Sequence, residues 1–91
     1  MYKIEFTEVA DEDKEAWKKS GQKILMNRIT RLLKDIEEHP KTGIGKPEAL
    51  KYDLAGKYSR KINDEHRIVY SIDEERLAVT VHSLRGHHLP R

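Results

Sequence analysis

Cysteine is absent from the 91 residues, which excludes disulfide staples and every cysteine-based zinc site and suits a reducing compartment. Long apolar runs are also missing. None approaches the roughly 20 residues needed to span a bilayer, and no positively charged leader precedes the first patterned segment. The expectation is a soluble, cytoplasmic protein with no membrane partner. Apolar residues make up 36% of the chain and charged residues 37%, which leaves a thin core under a heavily solvated surface. Internal repeats, linkers and low-complexity segments are lacking too, so residues 1–91 read as one domain.

A large excess of one charge is likewise absent, since the formal net charge is only +2. Its distribution is nevertheless uneven. Residues 1–38 carry 8 Lys/Arg against 9 Asp/Glu, residues 39–91 carry 10 against 7, and all five histidines fall in the second part. A polyanionic partner is therefore expected to meet the C-terminal half, where clustered cations raise its local concentration.

The segment Tyr2-Lys3-Ile4-Glu5-Phe6 alternates apolar and polar side chains as a half-buried strand does. Thr7 is placed to cap a helix that carries acids early and Lys18 and Lys19 late, and Ser20-Gly21 ends it. Ile24, Leu25, Ile29, Leu32, Leu33 and Ile36 then recur on one face of a second helix, which Pro40 closes near His39. After a loop containing Gly43, Gly45 and Pro47, three short alternating runs follow: Tyr58-Arg60-Ile62, Ile68-Tyr70-Ile72 and Leu77-Val79-Val81. The order β-α-α-β-β-β predicts an α+β fold in which two helices pack on one face of a four-stranded antiparallel sheet.

A three-residue turn between the first two of these runs pairs Lys61 with Arg67. A two-residue turn between the next two pairs Ile72 with Leu77 and Arg67 with His82. That register predicts a core face of Ile68, Tyr70, Ile72, Leu77, Val79 and Val81, with Lys61, Arg67 and His82 meeting on the opposite, basic face.

Three further segments converge on this face: the loop Lys46–Lys51, the turn Asp64–Arg67, and the terminal Ser83-Leu-Arg-Gly-His-His88. In the runs Gly45-Lys-Pro-Glu-Ala-Leu-Lys51, Leu54-Ala-Gly-Lys-Tyr-Ser-Arg-Lys-Ile62, Asp64-Glu-His-Arg-Ile-Val-Tyr70 and Gly86-His87, the chain resembles the YoeB/Txe toxins of the RelE/ParE superfamily. The resemblance covers nearly the whole chain and is weakest before residue 20. It implies a RelE-like fold and an endoribonuclease that cuts mRNA at the ribosomal A site without a metal or cofactor. The implied partners are a YefM-like antitoxin, mRNA on the ribosome, and a second copy of the toxin. Carried over by position, the family's catalytic set falls on Glu48, Arg67 and His87, and substrate contacts on Lys51, Lys61 and His88, to which His82 of the basic face is added. Lys61 stands where the family has arginine, keeping the charge without the bidentate phosphate fork. His88 stands where it has tyrosine, and Leu89-Pro90-Arg91 extends beyond the usual end.

The residue types suit the chemistry independently. Metal-free RNA cleavage needs a base for the 2′-OH, cations for the charge gathering on phosphorus oxygens, and an acid for the leaving 5′ oxygen. Glu48, then Arg67 with Lys61 and Lys51, then His87 fill those roles in turn. Taken singly each has a duller explanation: a loop acid paired with a lysine, a cross-strand ion-pair partner, an exposed terminal imidazole. Jointly, in this order and spacing, they favour the nuclease. No ligand spacing recommends zinc, because adjacent His87 and His88 in a strand point to opposite faces. The competing expectations are a non-enzymatic ParE-like toxin that binds gyrase, and an inactive module binding RNA or antitoxin.

Overall fold

The computed structural model describes residues 1–86. Strand β1 (Lys3–Phe6) leads into helix α1 (Glu8–Ser20) and helix α2 (Lys23–Glu38). Strands β2 (Glu48–Ala49), β3 (Lys57–Lys61), β4 (Arg67–Asp73) and β5 (Ala78–Ser83) follow, with a short 3₁₀ turn at Tyr52–Leu54 between β2 and β3. The α+β arrangement and the element order match the sequence expectation. The sheet differs in two respects: it has five strands in the order β1-β5-β4-β3-β2, and β1 runs parallel to β5. The extra strand, β2, is two exposed residues long, too short for any periodic signal. The parallel edge escaped because alternation along one strand does not report the direction of its neighbour.

Local chemistry accounts for the helix boundaries. Thr7 Oγ1 accepts a hydrogen bond from the Ala10 amide at 3.1 Å and caps α1, and Gly21 closes it in the left-handed region at φ 72°. Helix α2 buries Ile29, Leu32 and Ile36 against Ile62, Ile68, Tyr70, Val79 and Val81 of the sheet. Ile24, expected on that face, is 88% exposed at the start of the helix. No helix among the described residues is long and apolar enough to cross a membrane.

The second hairpin corrects the predicted register. Asp73 pairs with Ala78 and Ile72 with Val79, so the loop is four residues long and Leu77 is 51% exposed rather than core. The cause is Asp73, whose carboxylate accepts from the amides of both Glu75 and Arg76 at 3.1 Å and organises a wider turn. Leu77 completes the turn at φ 53°. A bulge between Val69 and Tyr70 shifts the ladder again, so Val69 faces Ser83.

Inside the molecule the side chain of Arg60 is fully buried. Its guanidinium donates to the carboxylate of Asp35 and to the carbonyls of His39, Thr42 (2.8 Å) and Ile44 (3.0 Å), and its Nε donates to Tyr70 Oη at 3.1 Å. Every donor direction of the fork is engaged, which is what makes burial of a charge tolerable. Gly43 passes directly over this pair at φ 118°, where an added Cβ would lie 1.9 Å from Asp35 Oδ2.

Burial raises the proton affinity of Asp35, but the hydrogen bonds from Arg60 and the Ile44 amide, with the guanidinium charge, outweigh it and hold the carboxyl below its ordinary range. The unfolded chain, with an aspartate pKa of about 3.9, therefore binds a proton at a pH where the folded chain does not. This contribution to stability is complete above that value and is lost as pH falls through the folded value. Asp35→Ala should cost about 3–5 kcal/mol in urea unfolding at neutral pH, because it strands a buried cation. Asp35→Asn should flatten the acid limb of stability against pH; an unchanged limb would show that the carboxylate does not couple to folding.

Candidate functional site

The face of the sheet turned away from the helices is built by register. Glu48 of β2 pairs with Ser59 of β3, Ser59 with Val69 of β4, and Val69 with Ser83 of β5, forming one transverse row. Two residues along, Lys61 pairs with Arg67 as the three-residue turn predicted. Side chains alternate between faces, so Glu48, Lys61 and Arg67 emerge on the same side. Strand geometry sets the α-carbons of Glu48 and Arg67 about 12 Å apart, a gap that a glutamate, a phosphate and an arginine bridge together.

Glu48 is exposed and Arg67 partly so, and neither side chain makes an ion pair or hydrogen bond among the described residues. The duller explanations for both, a loop acid paired with lysine and a cross-strand partner of an acid, find no counterpart among those residues. The loop carrying Glu48 holds Lys46 at φ 53° and Tyr52 at φ 58°, a conformation that non-glycine residues seldom adopt and that clusters at functional sites. Lys51 lies three residues beyond Glu48 and is exposed. Ser59, between Glu48 and Val69, has a buried hydroxyl with no hydrogen-bond partner among the described residues, a feature nothing in the sequence pattern signalled.

Lys61 is held by Asp64, Nζ to Oδ1 at 2.9 Å. The hydrogen bond and then the charge of Lys61 lower the pKa of Asp64 from its ordinary value. A phosphate approaching this corner has to compete with a fully solvated carboxylate for the ammonium.

His82 is on this face but not beside Arg67. The bulge puts its Nε2 2.8 Å from Ser71 Oγ, and Ser71 lies four residues along β4 from Arg67, about 13 Å away. Burial, and secondarily the charge of Lys57, lower its pKa, so the imidazole is neutral near pH 7. Arg67 instead meets Gly86: its amide donates to the carbonyl of Gly86 at 3.0 Å. His87 and His88 lie outside the described residues.

The segment leading to them is strongly anchored. Leu84 is fully buried, its amide donates to Asp13 Oδ2 at 2.9 Å, and its carbonyl accepts from the Trp17 indole at 2.9 Å. Trp17 is thus a packing residue that also grips the C-terminal segment. His66 sits in the β3–β4 turn. Its Nδ1 accepts from the Gly86 amide at 2.9 Å, and its ring meets Trp17 edge-on with centroids 4.8 Å apart. These contacts join residues 20 to 71 positions apart, beyond any local pattern. Among the described residues, no three His, Asp or Glu side chains gather as metal ligands.

Two helices packed against a mixed five-stranded sheet match the fold of YoeB toxins of known structure. A YoeB/ParE toxin from Agrobacterium tumefaciens superposes with a TM-score of 0.88 at 34% identity, covering 94% of this chain and 99% of that one. The YoeB chain of the heterotetrameric YoeB-YefM complex from Staphylococcus aureus superposes at 0.81 and 38% identity, covering 97% and 99%. Residues 6–88 match the family described as YoeB-like toxins of bacterial type II toxin-antitoxin systems. The "Toxin YoeB" of Synechocystis sp. is 47% identical over 77 residues, spanning 85% of this chain and 88% of that protein. The chain belongs to the YoeB-like toxin family.

The Lys61–Asp64 contact yields a direct test. Lys61→Met should return the Asp64 carboxyl to its ordinary titration, followed by carboxyl-carbon NMR. An unmoved titration would mean that Lys61 is already free for a phosphate.

Proposed function

We propose that the sheet face turned away from the helices carries the cleavage site of a ribosome-dependent endoribonuclease that cuts mRNA in the A site and is neutralised by a YefM-like antitoxin. The observation that carries this reading is the register that puts Glu48 and the Lys61–Arg67 pair on one face, with Gly86, the residue preceding His87, hydrogen-bonded to Arg67. Glu48 takes the proton from a ribose 2′-OH as its oxygen attacks phosphorus. Arg67, aided by Lys61 and Lys51, stabilises the charge that accumulates on the non-bridging oxygens. His87 protonates the 5′ oxygen as the P–O5′ bond breaks, leaving a 2′,3′-cyclic phosphate. Base, acid and electrostatic stabilisation are all supplied by side chains, so the scheme assigns no step to a metal.

His82 is left a lesser part, a neutral hydrogen-bonding group at the far end of the face, and His88 a flat ring for stacking on a base. The antitoxin assignment draws on the YoeB-YefM complex, whose toxin chain is similar to this one over nearly its full length. A second copy of the toxin is retained as a partner on family resemblance, and a cytoplasmic location follows from the ribosomal substrate.

Expression in growing cells with primer extension of mRNA ends tests the reading. Cuts inside translated codons should appear with the wild type and vanish with Glu48→Ala/His87→Ala. Intact mRNA with arrested DNA replication would point instead to a gyrase-binding toxin. On ribosome-bound mRNA, Arg67→Ala should lower kcat by roughly 10²–10³, the range for removing one transition-state charge donor, with little change in KM. Equal losses in binding and rate would reduce Arg67 to a binding residue. Lys61→Arg should raise kcat by up to about tenfold, through the second hydrogen bond that a guanidinium offers a phosphate.

A further inference from the structure

The last described residue, Gly86, is held at both of its peptide groups by consecutive residues of the β3–β4 turn. Its carbonyl accepts from the Arg67 amide at 3.0 Å, and its amide donates to His66 Nδ1 at 2.9 Å. The turn itself is rigid. Asn63 Oδ1 accepts from the amides of Glu65 (2.9 Å) and His66 (2.8 Å), and the His66 carbonyl accepts from the Ile62 amide at 2.9 Å. The imidazole plane is set by its edge-on contact with Trp17, at an interplanar angle of 88°, and Trp17 is itself fixed by its bond to the Leu84 carbonyl.

Gly86 adopts φ 76°, in the left-handed region that glycine visits freely but does not prefer. Without an acceptor for its amide, this residue has several backbone conformations of similar energy, each sending the following residue in a different direction. A neutral imidazole with its proton on Nε2 supplies that acceptor; an imidazolium has no lone pair to offer.

We propose that His66 is a positioning residue of the cleavage site: through Nδ1 it fixes the Gly86 peptide, the last link before the residue that the nuclease reading makes the general acid, His87. This rests on the nuclease reading above. The energetic logic is that of orientation, in which a general acid held in place contributes rate without contributing to substrate affinity. His66 itself touches neither the RNA nor the reacting atoms in this scheme.

The experiment uses the full chain labelled with ¹⁵N, and needs no substitution for its first arm. A scalar coupling across the hydrogen bond, between the Gly86 amide nitrogen and His66 Nδ1, should be present in the wild type; its absence overturns the proposal. In the second arm, His66→Phe keeps a ring against Trp17 but removes the acceptor, whereas His66→Asn restores an acceptor close to the Nδ1 position. His66→Phe should speed Gly86 amide exchange about tenfold, as expected for loss of one ordinary hydrogen bond, and lower kcat on ribosome-bound mRNA by a similar factor with KM nearly unchanged. His66→Asn should recover most of both. Fast Gly86 exchange with undiminished kcat in His66→Phe overturns the positioning role while leaving the nuclease reading intact. A wild-type chain that shows the coupling but cuts no mRNA overturns the reading beneath it, and the positioning role with it.

Discussion

The structure depends on a buried guanidinium. Arg60 lies in the middle of β3 with its side chain on the helix face, where five acceptors from α2, the following loop and β4 surround it. In the loop from Pro40 to Pro47, the backbone carbonyls of Thr42 and Ile44 are held by this one group. The loop ends at Glu48, which pairs with Ser59, the immediate neighbour of Arg60. Residues 59 to 61 therefore work in alternation: Ser59 and Lys61 point to the sheet face turned away from the helices, while Arg60 secures from beneath the loop that delivers the acid. Removing the charge and removing its partner are not equivalent perturbations, since a stranded buried charge costs far more than a missing pair contributes.

The same design recurs at the other end of the site. The chain after β5 is clamped by Asp13, Trp17, His66 and Arg67, four residues from three different segments, so the last described residue is fixed against β4 rather than trailing from the sheet. Both the loop that carries Glu48 and the segment Leu84–Gly86 are thus attached to helix and sheet by polar contacts. This is the arrangement orientation-dependent catalysis requires, because small misplacements of an acid or base cost rate steeply.

Much of this was legible in the sequence, for identifiable reasons. The helices announced themselves through Thr7, Gly21, Pro40 and the 3.6-residue recurrence of Ile29, Leu32 and Ile36; β3 and β4 did so through strict alternation and a short turn that fixed Lys61 opposite Arg67. What escaped was non-local or carried by a single side chain. Asp73 widened a hairpin that counting alone made tight, and a bulge then moved His82 away from Arg67 and put Gly86 in its place. Alternation put Arg60 on the apolar face, but its acceptors are scattered from residue 35 to residue 70, so nothing local revealed that a charge could be buried there. The anchoring role of His66 had no local signal at all.

The most direct test of the proposed chemistry lies in the substrate rather than in the protein. A ribosome programmed with mRNA carrying a single 2′-deoxy nucleotide immediately 5′ of the scissile phosphate lacks the nucleophile that Glu48 is proposed to activate. Cleavage at that position should cease, while the all-ribose message yields an upstream fragment ending in a 2′,3′-cyclic phosphate. Undiminished cutting of the deoxy-substituted message, or an upstream fragment bearing a free 3′-hydroxyl, would contradict the account.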